Sequence, residues 1–163
     1  MIKRQTLIEA AQSMLVLASH YKGAPHREMR LDGLVYGFLN AKFGVKRQHH
    51  VRSISGQKPK RIDFRQGGVN PVVIEFVVRT AHHKNEAYGG QNRGELHKLA
   101  RQASAKARYL LIMDIAPESI SMEKIKASYS KVHHQRGRGA RMSVRVLYVH
   151  QSDAYHFLWP CQA

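Results

Sequence analysis

Two apolar runs, Val72–Val78 and Tyr109–Met113, constrain the fold more than any other feature of the chain. The first is interrupted by a single charged residue, Glu75. Both fall far short of the roughly 20 residues that a bilayer span needs. Runs of this length are what strands buried on both faces present, because neither side of the pleat meets water. Between them, residues 92–105 bring Leu96, Leu99, Ala100 and Ala103 to one helical face. A strand, a crossover helix and a second strand parallel to the first are therefore expected.

The flanking segments extend this unit. Residues 5–20 place Leu7, Ala11, Met14, Leu15 and Ala18 on one stripe, with Thr6 as N-cap. A second helix over 27–43 carries Leu31, Leu34, Val35, Phe38 and Leu39 and stops at Gly44. Strands are predicted over 45–53, 60–66 and 72–80 as a meander, with Gly67 to Pro71 as the last turn. Beyond residues 109–115, Ser121 opens a helix to about Val132, and residues 144–149 and 155–159 read as closing strands. The expected class is α+β (α/β): a mixed β-sheet flanked by helices, with N-terminal helices preceding the sheet. One domain over 1–163 is expected, with 1–24 as a helical appendage and 27–115 as the core.

Charge narrows the partners. Lys and Arg number 27 against 11 Asp and Glu, a formal net charge of +16. Such an excess in a folded body calls for an anionic partner, most often nucleic acid, with anionic lipid and an acidic protein as alternatives. One cysteine, Cys161, excludes a disulfide framework and a Cys-based zinc cluster. A cytoplasmic setting is expected, with no signal peptide, no membrane segment and no membrane partner. Between Lys42 and Arg65 lie eight Lys or Arg and one acid, Asp63; between Lys124 and Ser152 lie seven and no acid. Arg136, Arg138 and Arg141, in a loop whose glycines let backbone amides approach phosphate, form the expected clamp, with Lys58, Lys60 and Arg61 as further contacts. The bland reading of that loop is a solvated turn.

In so basic a chain, carboxylates inside strands stand out. Asp63 lies in Arg61-Ile62-Asp63-Phe64-Arg65, and Glu75 has apolar neighbours on both sides. A buried carboxylate is costly unless paired or bound to a metal. Side by side across a hairpin, the two make a hard-cation site of oxygen ligands. The alternative has Glu75 paired with Arg61 or Arg79 while Asp63 faces solvent.

The order helix, strand, hairpin with Asp on one arm and Glu on the other, helix, strand resembles the PD-(D/E)xK (restriction endonuclease-like) nuclease superfamily over roughly residues 27–115. Asp63 matches the first acid, Glu75 the second, and residues 95–102 and 109–112 the helix and strand that follow. The resemblance implies a metal-dependent phosphodiesterase, a DNA endonuclease with DNA ahead of RNA as its partner. Asp63, Glu75 and the carbonyl of Phe76 would hold Mg2+ or Mn2+. Asp32, or Glu28 one turn earlier, would add an acid from the preceding helix. A homodimer is expected where both strands are cut. The sequence departs from the motif at its lysine, where Val77 stands. Valine can neither orient water nor stabilise transition-state charge. Lys98 on the following helix and Arg79 on the same strand are the replacement cations, and Gln91 a water-orienting side chain. The alternative is a non-catalytic DNA- or RNA-binding module that keeps the fold.

His49-His50, His82-His83 and His133-His134 each offer at most one ligand to a site, since neighbours on a strand face opposite ways. A zinc site from His82, His83, Glu86 and His97 is weighed against solvated or phosphate-contacting histidines on a mobile loop, and the latter reading is favoured. Tyr155, Phe157 and Trp159 alternate as core or dimer-contact residues.

Overall fold

The N-terminal helices keep one face apolar, and that face decides where they go. A computed structural model describes residues 2–20, 28–50, 61–133 and 142–160, leaving aside the side chains of 18–20, 28–30, 32, 48–50 and 61. Helix α1 (Arg4–His20) and helix α2 (Glu28–Phe43) lead the chain. Leu7, Ala11, Met14 and Leu15 of α1 and Leu31, Val35 and Leu39 of α2 pack on Phe64, Ile74, Phe76, Val78, Leu111 and Leu147 of the sheet. The N-terminal helix, expected as an appendage, packs its apolar stripe into this core as a layer. Buried Ile2 fastens its start through a backbone N–H donated to Gln66 Oε1 at 3.1 Å. Helix α2 ends as Gly44 turns into the left-handed region at φ 62°, where a side chain would be strained.

Six strands follow: β1 (Lys46–His50), β2 (Arg61–Gln66), β3 (Val72–Arg79), β4 (Ala107–Asp114), β5 (Val144–His150) and β6 (Ala154–Trp159). They form one mixed sheet in the order β1-β2-β3-β4-β5-β6. The pairs β1/β2, β2/β3 and β5/β6 are antiparallel, while β3/β4 and β4/β5 are parallel. The parallel pairs are joined by α3 (Arg93–Ala100) and α4 (Met122–Ser130), whose Leu96, Leu99, Ile125 and Tyr129 pack with Val73, Val77, Leu110, Ile112 and Trp159 on the face opposite α1 and α2. Helices cover both faces, so all of β3 is buried, as its apolar run requires. The class is α+β, a mixed sheet flanked by helices. Among the described residues no helix is long and apolar enough to cross a membrane.

Two further expectations need revision. The crossover helix ends at Ala100 and not near Ala105. Arg108 explains the stop: its guanidinium donates to the carbonyls of Gln102 at 2.5 Å, Ala105 at 2.6 Å and Ala103 at 3.2 Å, which holds residues 102–105 in a turn. The loop after β3, expected to be mobile, is tied down. Gly89 N donates to Ser128 Oγ at 3.0 Å, and a Cβ at Gly89 would lie 2.8 Å from Tyr129 Cα. Asn92 Nδ2 donates to Glu86 O at 2.6 Å and to the Tyr129 hydroxyl at 3.0 Å.

Candidate functional site

The hairpin of β2 and β3 places the two strand carboxylates. Its register runs Gln66↔Val72, Arg65↔Val73 and Phe64↔Ile74. At the next residue, half-buried Asp63, the side chain takes over from the backbone: Oδ2 accepts the Phe76 N–H at 2.9 Å. Phe64 packs on the α1 side and Ile62 on the α3 side, so simple alternation along β2 breaks at Asp63. In an extended strand the N–H and C=O of one residue point toward the same neighbour. The Phe76 carbonyl therefore also faces the gap where Asp63 stands.

Glu75 lies on the α3 side of β3, the face shared by Val73 and Val77. It is buried. Lys98 reaches down from α3 and sets its Nζ 2.8 Å from Glu75 Oε2 and 2.5 Å from Glu95 Oε2. The three side chains form a gradient toward solvent, with exposures of 2% for Glu75, 13% for Lys98 and 38% for Glu95. Glu75 Oε1 is buried and makes no hydrogen bond among the described residues. Burial first, and then the Asp63 charge, push the Glu75 carboxyl up to about 10 against the pull of Lys98. For Lys98, burial acts downward, but Glu75 and Glu95 together hold the ammonium above its ordinary value. Lys98 therefore keeps its charge, and Glu75 carries the cost of the site.

The donors fit a hard divalent cation. All are oxygens, and the orphaned Glu75 Oε1 is an acceptor in need of a positive partner. Among the described residues no group of three or more His, Cys, Asp and Glu is placed to hold a metal. An ion here would rest on Asp63, Glu75, the Phe76 carbonyl and solvent.

The other expected residues fall as follows. The ion pair of Glu75 is with Lys98; Arg79 instead pairs with Asp114 at 2.5 Å and donates to the carbonyls of Glu118 and Lys84. Arg79 is thereby taken out of the cations expected beside Glu75, because β4 and the loops after β3 and β4 use its guanidinium. Val77 is buried in the α3-side core. Gln91 is exposed ahead of α3. Asp32 falls within α2 and Arg61 opens β2, but the side chains of both, like that of Glu28, lie outside the described residues. Lys58, Lys60, Arg136, Arg138 and Arg141 also lie outside them. His97 is buried, with Nε2 3.0 Å from the His133 carbonyl and its ring tilted against Trp159, which is a structural placement. Glu95 was not singled out by its sequence position; the only signal was its spacing three residues before Lys98.

No protein-family model matches the chain, and no curated protein does. Among solved structures it is similar to the crystal structure of SSO0001, with 10% identity and a TM-score of 0.36, over 95% of this chain. The chain spans about 60% of that protein's length.

Proposed function

We propose that the protein is a nucleic-acid-binding, divalent-metal-dependent phosphodiesterase of the PD-(D/E)xK type, in which the lysine missing from β3 is supplied by α3. The observation that carries this reading is the 2.8 Å contact between Lys98 Nζ and Glu75 Oε2. It sets an ammonium beside Glu75, the residue that matches the motif's second acid. The net charge of +16 supports a polyanionic substrate, and the resemblance to the nuclease superfamily puts DNA ahead of RNA.

Mg2+ or Mn2+, when bound, would supply Lewis acidity toward a phosphodiester and lower the pKa of a water. Asp63 and Glu75 would hold the ion, with the Phe76 carbonyl as a further oxygen donor. Lys98 meets Glu75 Oε2, so Oε1, which makes no hydrogen bond among the described residues, is the oxygen that would serve an ion. The Lys98 ammonium, preorganised in a largely buried place, stabilises the negative charge that grows on the phosphoryl oxygens. Its role is electrostatic: a cation held between Glu75 and Glu95 is set to meet phosphate charge.

Incubation with single- and double-stranded DNA and RNA, with Mg2+ or Mn2+ and with chelator, tests the reading. Metal-dependent cleavage is expected, lost in both Asp63→Asn and Glu75→Gln. Tight, salt-sensitive binding without products in either metal would overturn catalysis and leave a binding module.

A further inference from the structure

We infer that Glu95 is a positioning residue: as the outer anchor of the Lys98 ammonium, it lets a lysine carried by a helix do the work of one carried by the strand. The inference rests on the proposed function of the Glu75 site and deepens it.

A lysine on β3 would leave the backbone beside Glu75 and need little help to stay there. Lys98 comes from another element and crosses the space between helix and sheet on a flexible stem of four carbons. One carboxylate at its tip would leave the ammonium free to pivot about that contact. The structure gives it two, Glu75 Oε2 at 2.8 Å on the buried side and Glu95 Oε2 at 2.5 Å on the solvent side. Two anchors, one on the sheet and one on the helix, fix the position of the charge.

Glu95 is well founded for this role. It lies in the first turn of α3, where the positive end of the helix favours a carboxylate. Its order relative to Lys98, acid before base and three residues apart, is the favourable one along a helix. The start of that helix is itself held, since Asn92 bonds to Glu86, Tyr88 and Tyr129 and its carbonyl accepts the Leu96 N–H at 3.0 Å. Among the described residues Glu95 does not join Asp63 and Glu75 in a group able to hold a metal. Its influence on chemistry therefore runs through Lys98.

Glu95→Ala and Glu95→Gln separate this from a structural role. In Glu95→Ala, kcat with Mg2+ and a DNA substrate is expected to fall roughly ten- to hundredfold, the scale of a misplaced catalytic group, while KM and DNA affinity stay within about twofold. Glu95→Gln keeps an acceptor at the same reach and should recover most of the rate. A second readout needs no activity: the 15N signal of the Lys98 ammonium, assigned by its loss in Lys98→Arg, should be visible in the wild type and in Glu95→Gln and broadened away in Glu95→Ala. An ammonium signal and kcat both unchanged in a folded Glu95→Ala would overturn the inference and leave the proposed function standing. A wild type that cleaves nothing, with the signal still dependent on Glu95, would overturn that function and keep Glu95 as the anchor.

Discussion

Arg79 and Asp114 stand opposite each other in the parallel register of β3 and β4, and the guanidinium meets the carboxylate at 2.5 Å where Asp114 is fully buried. Asp114 also accepts from the Tyr148 hydroxyl and, at 2.9 Å, from the Ala116 N–H. Tyr148 in turn accepts from Ile120 N at 2.8 Å, and Tyr155 donates to the Ile120 carbonyl. Burial first, and then the bond to Asp114, push the Tyr148 hydroxyl far above the ordinary phenol range, so it remains a donor. The network closes the end of the sheet where β3 and β4 run out and pins the loop that leads to α4.

Removing one partner of this pair leaves the other charged and buried. Arg79→Ala and Asp114→Ala are each expected to lower unfolding free energy by about 3–5 kcal/mol. The double variant should lose less than the sum, because the two share one network. Urea unfolding of the four proteins measures both. Arg79 lies four residues from Glu75, roughly 13 Å along the strand. Whatever activity the wild type shows should therefore persist per folded molecule in Arg79→Ala at low temperature. A stable but inactive Arg79→Ala would return that residue to the site.

Arg108 is the second structural cation. It is buried in β4 and donates to three carbonyls of the turn after α3. Arg108→Ala orphans those acceptors and should cost about 2–3 kcal/mol, in line with hydrogen bonds to a charged group. Arg108→Lys should recover only part of this, since an ammonium lacks the second donor, Nε, that joins Nη2 on the Gln102 carbonyl at 2.9 Å. Denaturant midpoints of the two variants decide this, and equal stability of Arg108→Lys and wild type would contradict it.

What was legible in the sequence followed its periodicities. The apolar runs mark β3 and β4 as parallel neighbours through a helix, and both are found so. Gly44 closes α2 and Ser121 caps α4, because each end has a local chemical signature. Contacts distant in the chain left no such trace. Nothing near Arg79 announces Asp114, 35 residues away, and the resemblance to a nuclease motif drew the arginine toward Glu75 instead. The stripe on α1 was plain, but a stripe does not say which surface it covers. At the candidate site, Asp63, Glu75 and Lys98 were visible as charges out of place or at a motif position. Glu95 was not, because an acid on an amphipathic helix reads as a solvated surface.

Stability should also respond to pH through His156. Burial first, and then the charges of Arg4 and Arg145, hold its imidazole below the ordinary value of 6.5. In the window below 6.5 the unfolded chain binds a proton that the folded protein refuses, so this contribution rises with pH and is lost as pH falls. His156→Gln should remove it. Relative to the variant, the wild type should be less stable at about pH 5 than at about pH 7.5, where both forms are neutral. Urea midpoints at the two values test this. Added salt should shrink the part due to the arginines and leave the part due to burial. A difference between wild type and variant that is the same at both pH values would rule it out.

The position of the missing lysine offers the most direct test of how the site is built. Val77 shares the α3-side face of β3 with Glu75, two residues or roughly 7 Å further along. Lys98→Ala is expected to reduce cleavage by about 10²- to 10³-fold, the scale of losing one preorganised electrostatic contact. DNA affinity should stay within about threefold, because a single phosphate contact among many is removed. Adding Val77→Lys to that background puts an ammonium back beside Glu75 from the strand, and part of the lost rate should return. In the presence of Lys98 the same substitution should give no gain, since Glu75 Oε2 already has its cation. A lysine in this buried spot costs stability, so melting temperatures are compared first and rates are measured where every variant is folded. Rescue in the double variant alone would show that α3 and β3 offer two routes to one ammonium position. A Lys98→Ala variant that loses binding as steeply as turnover would instead assign Lys98 to holding the nucleic acid.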